Sequence, residues 1–227
     1  MIILALDTAS TLCAACVYDA DAGSELGRCV EDIGKGHAER LMDVLGAALA
    51  ASGRSYADIG TVAVSIGPGS FTGIRVGVSA ARGLALALKV PALGVTTLSA
   101  IADQARFDWP GRRIVAAIDA RRDELYVEDH AGDGSLAFGP AIVPTSNAGS
   151  LVFGNRPVLA GSGARVIEER AASADFDMAG GGATADIAVY ARLAAGGHVF
   201  NSPPKPLYLR GPDARPQEGF ALPRAPA

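Results

Sequence analysis

Three cysteines in 227 residues leave one thiol over, so no disulfide framework can close within a single chain. Aromatic residues make up 6% and charged residues 19%, with a formal net charge of −4. This mildly acidic balance argues against a broad, independent nucleic-acid surface, although a local basic patch stays open. The three histidines, at 37, 130 and 198, spell no Ser–His–Asp constellation. No apolar run approaches the ~20 residues that span a bilayer. The first seven residues, MIILALD, have no positive leader and reach an Asp at once, so they read as a strand. The expectation is a chain with no membrane segment in the reduced cytoplasm. At 49% hydrophobic residues it has enough apolar mass for a packed core.

The order of elements is legible from periodicity. Ile2 to Leu6 and Cys13 to Tyr18 read as strands, and a third lies near Gly27 to Ile33. Leu41, Val44, Leu45, Ala48 and Leu49 then fall on one helical face, with Gly53 as a stop. A buried-type strand, Thr61 to Ile66, enters the loop Gly67-Pro68-Gly69-Ser70-Phe71-Thr72-Gly73. A long helix over about 72–88 follows, and Pro91 blocks its continuation. Strand 92–94 and helix 98–104 come next. At Arg113 the pattern restarts. Ile114 to Ile118 leads to Asp119 and a strand from Glu124 to Glu128, as Leu4 to Leu6 leads to Asp7 and a strand. The two Asp residues stand 112 positions apart, which duplication or coincidence would explain. Strand 158–160, a helix over 164–171 and a helix over 185–195 capped by Thr184 complete the pattern. The Pro-rich tail, including residues 211–227, is expected to be loosely ordered.

Candidate sites each admit two readings. Cys13-x-x-Cys16 suggests metal or redox chemistry, but on a strand residues three apart point to opposite faces, which favours small buried hydrophobes. The loop 67–73 matches neither a P-loop nor G-x-G-x-x-G. A tight turn capped by Ser70 or Thr72 is the preferred reading, with anion binding the alternative. Gly73, Gly77, Ala81 and Ala85 recur every four residues. Two glycines inside a helix cost ~1 kcal/mol each relative to Ala, so close approach of another element should offset them. That element is either the chain's own helix near 37–52 or a partner subunit. Asp7, Thr8 and Ser10, and again Asp119, stand where a strand ends. In kinase-like ATPases such a turn handles phosphate and Mg²⁺; a turn-forming Asp with a capped backbone is the alternative. Arg112-Arg113 and Arg121-Arg122 could touch an anionic partner or simply be solvated.

The segments LALDTAS (4–10), GHAERLMDVL (36–45), GPGSFTGIRVGVSAARGLA (67–85), VPALGVTTLSAIA (90–102), IDARRDELYV (118–127) and PLYLR (206–210) resemble the bacterial TsaB (YeaZ) family. The resemblance implies an α/β fold of the actin/Hsp70/sugar-kinase type with two related lobes, the second reduced. The expected division is 1–105 and 106–210. It implies a non-catalytic subunit without a cofactor. Such a subunit dimerises with TsaD and, with the ATPase TsaE, supports transfer of a threonylcarbamoyl group to N6 of the adenosine beside the tRNA anticodon. Alone it would form a homodimer, and it would meet tRNA only through the complex. TsaD carries a metal-binding His-x-x-x-His, and by register from Val90-Pro91-Ala92 these positions are Thr97 and Ile101 here, neither suited to a metal. The implied partner surface is the ridge, read as Gly73, Arg75, Gly77, Ala80, Ala81 and Ala85, with Leu41 and Leu45 beside it. Gly77→Arg is then expected to abolish partner binding and leave the fold intact. The rival reading is a stand-alone ATPase or a glycopeptidase-like hydrolase, with Asp7, Thr8, Ser10 and Asp119 as nucleotide-site candidates.

Overall fold

The computed structural model describes residues 1–171 and 174–210; the tail 211–227, expected to be loosely ordered, lies outside the described residues. Strand β1 (Ile2–Asp7) pairs antiparallel with β2 (Leu12–Asp19), and β2 with β3 (Ser24–Asp32). Helix α1 (His37–Ser52) crosses over to β4 (Ile59–Ser65), parallel to β1. Helix α2 (Phe71–Leu88) leads to β5 (Ala92–Val95), parallel to β4. Helix α3 (Thr97–Asp108) passes to the second half. There β6 (Ile114–Arg121), β7 (Glu124–His130) and β8 (Leu136–Pro144) pair antiparallel in turn. Strand β9 (Val158–Ala160) runs parallel to β6, then helix α4 (Ala164–Arg170) leads to β10 (Asp177–Met178), parallel to β9. Helix α5 (Ile187–Ala195) closes the order.

The first sheet is ordered β3-β2-β1-β4-β5 and the second β10-β9-β6-β7-β8. Read from its own first strand, the second repeats the first strand for strand. The suspected duplication is therefore present in the topology, and the two lobes have the actin/Hsp70/sugar-kinase type of α/β fold. The second lobe keeps all five strands but shortens the two that run parallel to its first: β9 has 3 residues and β10 has 2, against 7 in β4 and 4 in β5.

The side-chain period of two sorts the core into layers. Leu4, Leu6, Cys13, Ala15 and Val17 face α1 and α2. Ile3, Ala5, Ala14, Cys16 and Tyr18 face the other way, onto α3, α5 and one face of the second sheet. Strands β1 and β2 are thus covered on both sides and read as continuous apolar runs. Cys13 and Cys16 fall in different layers, which leaves no paired thiol site. Val115, Ala117, Leu125 and Leu159 form the remaining layer with α4 and a 3-10 segment, Thr145–Val152.

Three expectations need correction. Helix α5 is capped by Asp186, whose side chain accepts the Ala188 amide at 2.9 Å, and not by Thr184. Division at 105/106 would place α5 in the second lobe, yet α5 packs on the first sheet through Ile187, Tyr190 and Ala191. The chain then stays there: Asn201 bridges to Gly94, and the Leu207 amide donates to the Ile66 carbonyl at 2.8 Å. Finally, α2 is long and apolar enough to cross a membrane by length and composition, the one such helix among the described residues. Its apolarity serves packing on β1 and β4, where Ile74, Val78 and Ala81 are buried.

The helical glycines fall into two classes. A Cβ on Gly73 would stand 1.9 Å from the Thr8 carbonyl oxygen, and one on Gly77 2.5 Å from Thr8 Oγ1. A Cβ on Gly46 in α1 or Gly83 in α2 would meet nothing within 4 Å. Gly73→Ala is therefore expected to unfold the first lobe or lower its melting temperature sharply, and Gly77→Ala to destabilise it. Gly46→Ala and Gly83→Ala should each stabilise by up to ~1 kcal/mol. Thermal denaturation followed by circular dichroism checks all four.

Candidate functional site

The first candidate centre is the end of β1. Asp7 is buried, and its Oδ1 accepts the Ala9 amide at 2.8 Å, an Asx turn that folds the chain back toward β2. Its Oδ2 accepts the Thr184 hydroxyl at 2.6 Å. Thr184 Oγ1 lies 2.6 Å from the hydroxyl of buried Tyr190 on α5. Burial raises the Asp7 carboxyl above its ordinary value, against the lowering effect of the bonds from Thr184 and Ala9. The Tyr190 phenol is pushed well up by burial and by Asp7. Thr8 is buried too, and its hydroxyl donates to the Gly73 carbonyl at 2.7 Å. Ser10 Oγ accepts the Leu12 amide at 3.2 Å. All three residues thus have structural partners.

The loop 67–73 lies flat on this turn. The Ser70 amide donates to the Ala9 carbonyl at 2.7 Å, and a Cβ on Gly69 would come within 2.2 Å of that oxygen. Ser70 is the N-cap of α2, its Oγ accepting the Gly73 amide at 3.2 Å. The glycines serve backbone contact with residues 8 and 9. The second lobe repeats the device. Asp119 Oδ1 accepts the Arg121 amide at 2.8 Å, and a Cβ on Gly161 would stand 2.3 Å from the Ala117 carbonyl oxygen. Asp119 is only partly buried and pairs with Arg121 at 3.4 Å. Arg112 and Arg113 are absorbed by Asp177 at 2.8 Å and Asp129 at 2.7 Å, so they are structural.

A second buried network joins α3 to β7. Glu128 accepts the Thr96 hydroxyl at 3.0 Å and the Ser99 hydroxyl at 2.8 Å, and His130 Nε2 lies 2.9 Å away. Thr96 caps α3, so the carboxylate sits at a helix N-terminus, where negative charge is favoured. Periodicity gives no sign of this network and marks Thr184 only as a helix cap, because the partners concerned are 29 to 177 residues away. His37 is buried with Nε2 3.1 Å from the Leu12 carbonyl, a structural role.

The other candidate is the outer face of α2. The Arg75 guanidinium lies 3.7 Å over the Phe71 ring, and its Nε donates to the Tyr208 hydroxyl at 2.6 Å. Phe71 is 54% exposed and Leu86 82%. Of the expected partner residues, Gly73, Gly77, Ala81, Ala85, Leu41 and Leu45 are buried within the chain. They pack toward the first sheet, those of α2 beneath its outer face, although Ala85, 8% exposed, also lines a hollow at the C-terminal end of the helix. Arg75 is exposed and Ala80 partly so. The close approach that Gly73 and Gly77 permit is to Thr8, neither to α1 nor to a second subunit, and Gly77→Arg would break the lobe.

Residues 30–185 match the family described as TsaD, tRNA N6-adenosine threonylcarbamoyltransferase. TsaB of Escherichia coli, a tRNA threonylcarbamoyladenosine biosynthesis protein, is 37% identical over 134 residues, covering 59% of this chain and 56% of that protein. An uncharacterized protein of Mycobacterium tuberculosis is 35% identical over 214 residues, 94% of each chain. The structure of YeaZ from Pseudomonas aeruginosa superposes with a TM-score of 0.78 at 29% identity, covering 92% of this chain and 99% of that one. The chain belongs to the TsaB/YeaZ group of the TsaD family. It spans little more than half the length of the curated TsaB proteins of E. coli and Buchnera aphidicola that it matches.

Membership raises the question of a TsaD-type metal. Thr97 and Ile101, the positions that the resemblance sets against its two histidines, are both buried, Ile101 in the layer between the sheets. Ile101 has no donor atom, and Thr97 offers only a hydroxyl, so these residues do not fit a soft or borderline metal.

The Asp7 tie has a pH signature. A carboxyl raised by folding binds its proton more tightly in the folded state. Stability then falls as pH rises from the unfolded value of 3.8 through the raised folded value. Asn at position 7 can accept from Ala9 and donate to Thr184. Asp7→Asn is expected to melt above wild type at pH 8, the gain vanishing toward pH 4. Asp7→Ala should lose ~1–3 kcal/mol by stranding buried polar partners. Calorimetric melts across pH 4–8 test both.

Proposed function

We propose that the chain is a non-catalytic subunit. It docks a TsaD homologue through the outer face of α2 and, with a TsaE homologue, supports transfer of the threonylcarbamoyl group to N6 of the adenosine beside the tRNA anticodon. The observation that carries this reading is how α2 is presented. It is an 18-residue helix without a single Asp or Glu, fixed on one side to the first sheet. It turns Phe71, Arg75, Arg82 and Leu86 outward, and the neighbouring helix α1 exposes Met42. Aromatic, Met and Arg side chains on a rigid surface are the composition of an interface core. The side chains that would do chemistry in the rival reading are already engaged: Asp7 by Thr184 and Ala9, Thr8 by Gly73.

The mechanism is a bias on the partner. A docked subunit with more affinity for the competent conformation of TsaD raises its population, and adds no reacting group. In isolation the same face would pair two copies more weakly, since each copy brings the same cations to it. Contact with tRNA would come through the complex, in the cytoplasm.

Reconstitution with purified TsaD and TsaE homologues tests the reading. Threonylcarbamoyladenosine formation on tRNA should require this chain, and the chain alone should give no turnover. Leu86→Asp, on an exposed position, should keep the fold and weaken binding of the TsaD homologue at least about tenfold. Saturable binding of Mg²⁺–ATP to the isolated chain in calorimetry, lost in Asp7→Ala and also in Asp7→Asn, which keeps the turn and removes only the carboxylate, would favour the ATPase reading instead.

A further inference from the structure

The outward face of α2 carries a charge pattern that packing on the first sheet does not explain. Arg75, Arg82 and Lys89 are exposed and follow one another at intervals of seven residues, about two helical turns or ~10.5 Å each. Arg75 is held by Phe71 and Tyr208. Arg82 and Lys89 have no carboxylate partner among the described residues. Both line a hollow of about 630 Å³ at the C-terminal end of α2. They are its charged lining residues, and Leu86, Val90, Pro91 and Pro203 contribute apolar wall. Lys89 closes the helix, so its charge complements the C-terminal carbonyls. That account does not extend to Arg82, two turns upstream.

We propose that Arg82 and Lys89 select an acidic, amphipathic segment of the docked TsaD-family partner. Its carboxylates meet the two cations and its apolar side chains enter the hollow between them. This rests on the docking reading above and adds what the face recognises. Three occupants compete for such a surface, and charge separates them. A second copy presenting the same hollow across a two-fold near Arg82 would set Arg82 against Arg82 and Arg75 against Lys89, like charge on like charge. An RNA strand would find cations, but the lining of the hollow offers no aromatic ring on which a base could stack. An acidic amphipathic segment satisfies both the cations and the walls. Cations left unpaired on a preformed surface add attraction at little reorganisation cost.

The test is a titration of the TsaD homologue from the same organism onto the full-length chain, at low salt and at 0.5 M salt. Wild-type affinity should fall with salt. The double variant Arg82→Glu/Lys89→Glu should bind about 30-fold more weakly at low salt and lose most of the salt dependence, with an unchanged melting curve. Arg82→Lys should retain most of the affinity. Wild-type affinity and salt slope in the double variant would overturn the proposal while leaving docking intact. So would unchanged partner affinity together with a wild-type dimer that the double variant loses in sedimentation, or with tRNA binding that the double variant loses. Failure of the wild-type chain to bind the TsaD homologue at any salt would sink the docking reading itself, and this proposal with it.

Discussion

The structure depends on one close approach: helix α2 lies on the backbone of Thr8 and Ala9. The Thr8 hydroxyl donates to the Gly73 carbonyl at 2.7 Å, and the Ser70 amide to the Ala9 carbonyl at 2.7 Å. Side chains at 69, 73 or 77 would collide there, with Cβ distances of 2.2, 1.9 and 2.5 Å. Three glycines therefore fix both the height and the rotation of the helix. Rotation is what matters for function. With Gly73, Gly77 and Ala81 turned inward, residues 71, 75, 82 and 86 must point outward. The proposed docking face is the remainder left by a packing constraint on the opposite side.

The second half ties this arrangement down. Thr184 reaches Asp7, and Glu128 joins the cap of α3. Arg210 donates to the carbonyls of Ala120 and Arg121 at 3.2 and 3.4 Å and pairs with Glu124. Helix α5 and residues 201–207 lie on the first sheet although they follow the second in sequence. The chain thus crosses between lobes more than once, and side chains bridge them at the end of β1 and at the start of α3. Such ties reduce the freedom of the first lobe to reshape, and a rigid surface loses less entropy on association.

Much of this was legible in the residues. Elements β1, β2, α1, β4 and α2 follow from clean periods and from Gly53, Ser70 and Pro91 as punctuation. The restart at Arg113 announced the duplication, and the two sheets repeat one strand order. What failed was direction. A small residue every fourth position says that something comes close, and the ridge carried no mark of whether that was a strand end, a helix or another chain. Strand β8 was missed because it is half exposed and interrupted by Gly139-Pro140, so no alternation survives. Thr184 reads locally as a helix cap; only the fold brings it to Asp7, 177 residues away. The Arg75 clamp had a signal in the PLYLR segment, but nothing local placed Tyr208 beside Phe71.

Duplication makes the fate of the two Asp turns informative. Asp7 ends β1 and Asp119 stands two residues before the end of β6, and each accepts the amide two residues on at 2.8 Å. The second stays partly open and pairs with exposed Arg121. The first is sealed by Thr184, and its carboxyl is raised by the burial that results. An Asn would make the same turn without a buried ionisable group. A fold that buries this carboxylate, and spends the hydroxyl of Thr8 on a helix carbonyl, has turned the polar end of its first strand inward. Along α2 it leaves Phe71, Arg75, Arg82 and Lys89 outward, next to no carboxylate of that helix. Recognition of another surface is the chemistry that such a distribution supports.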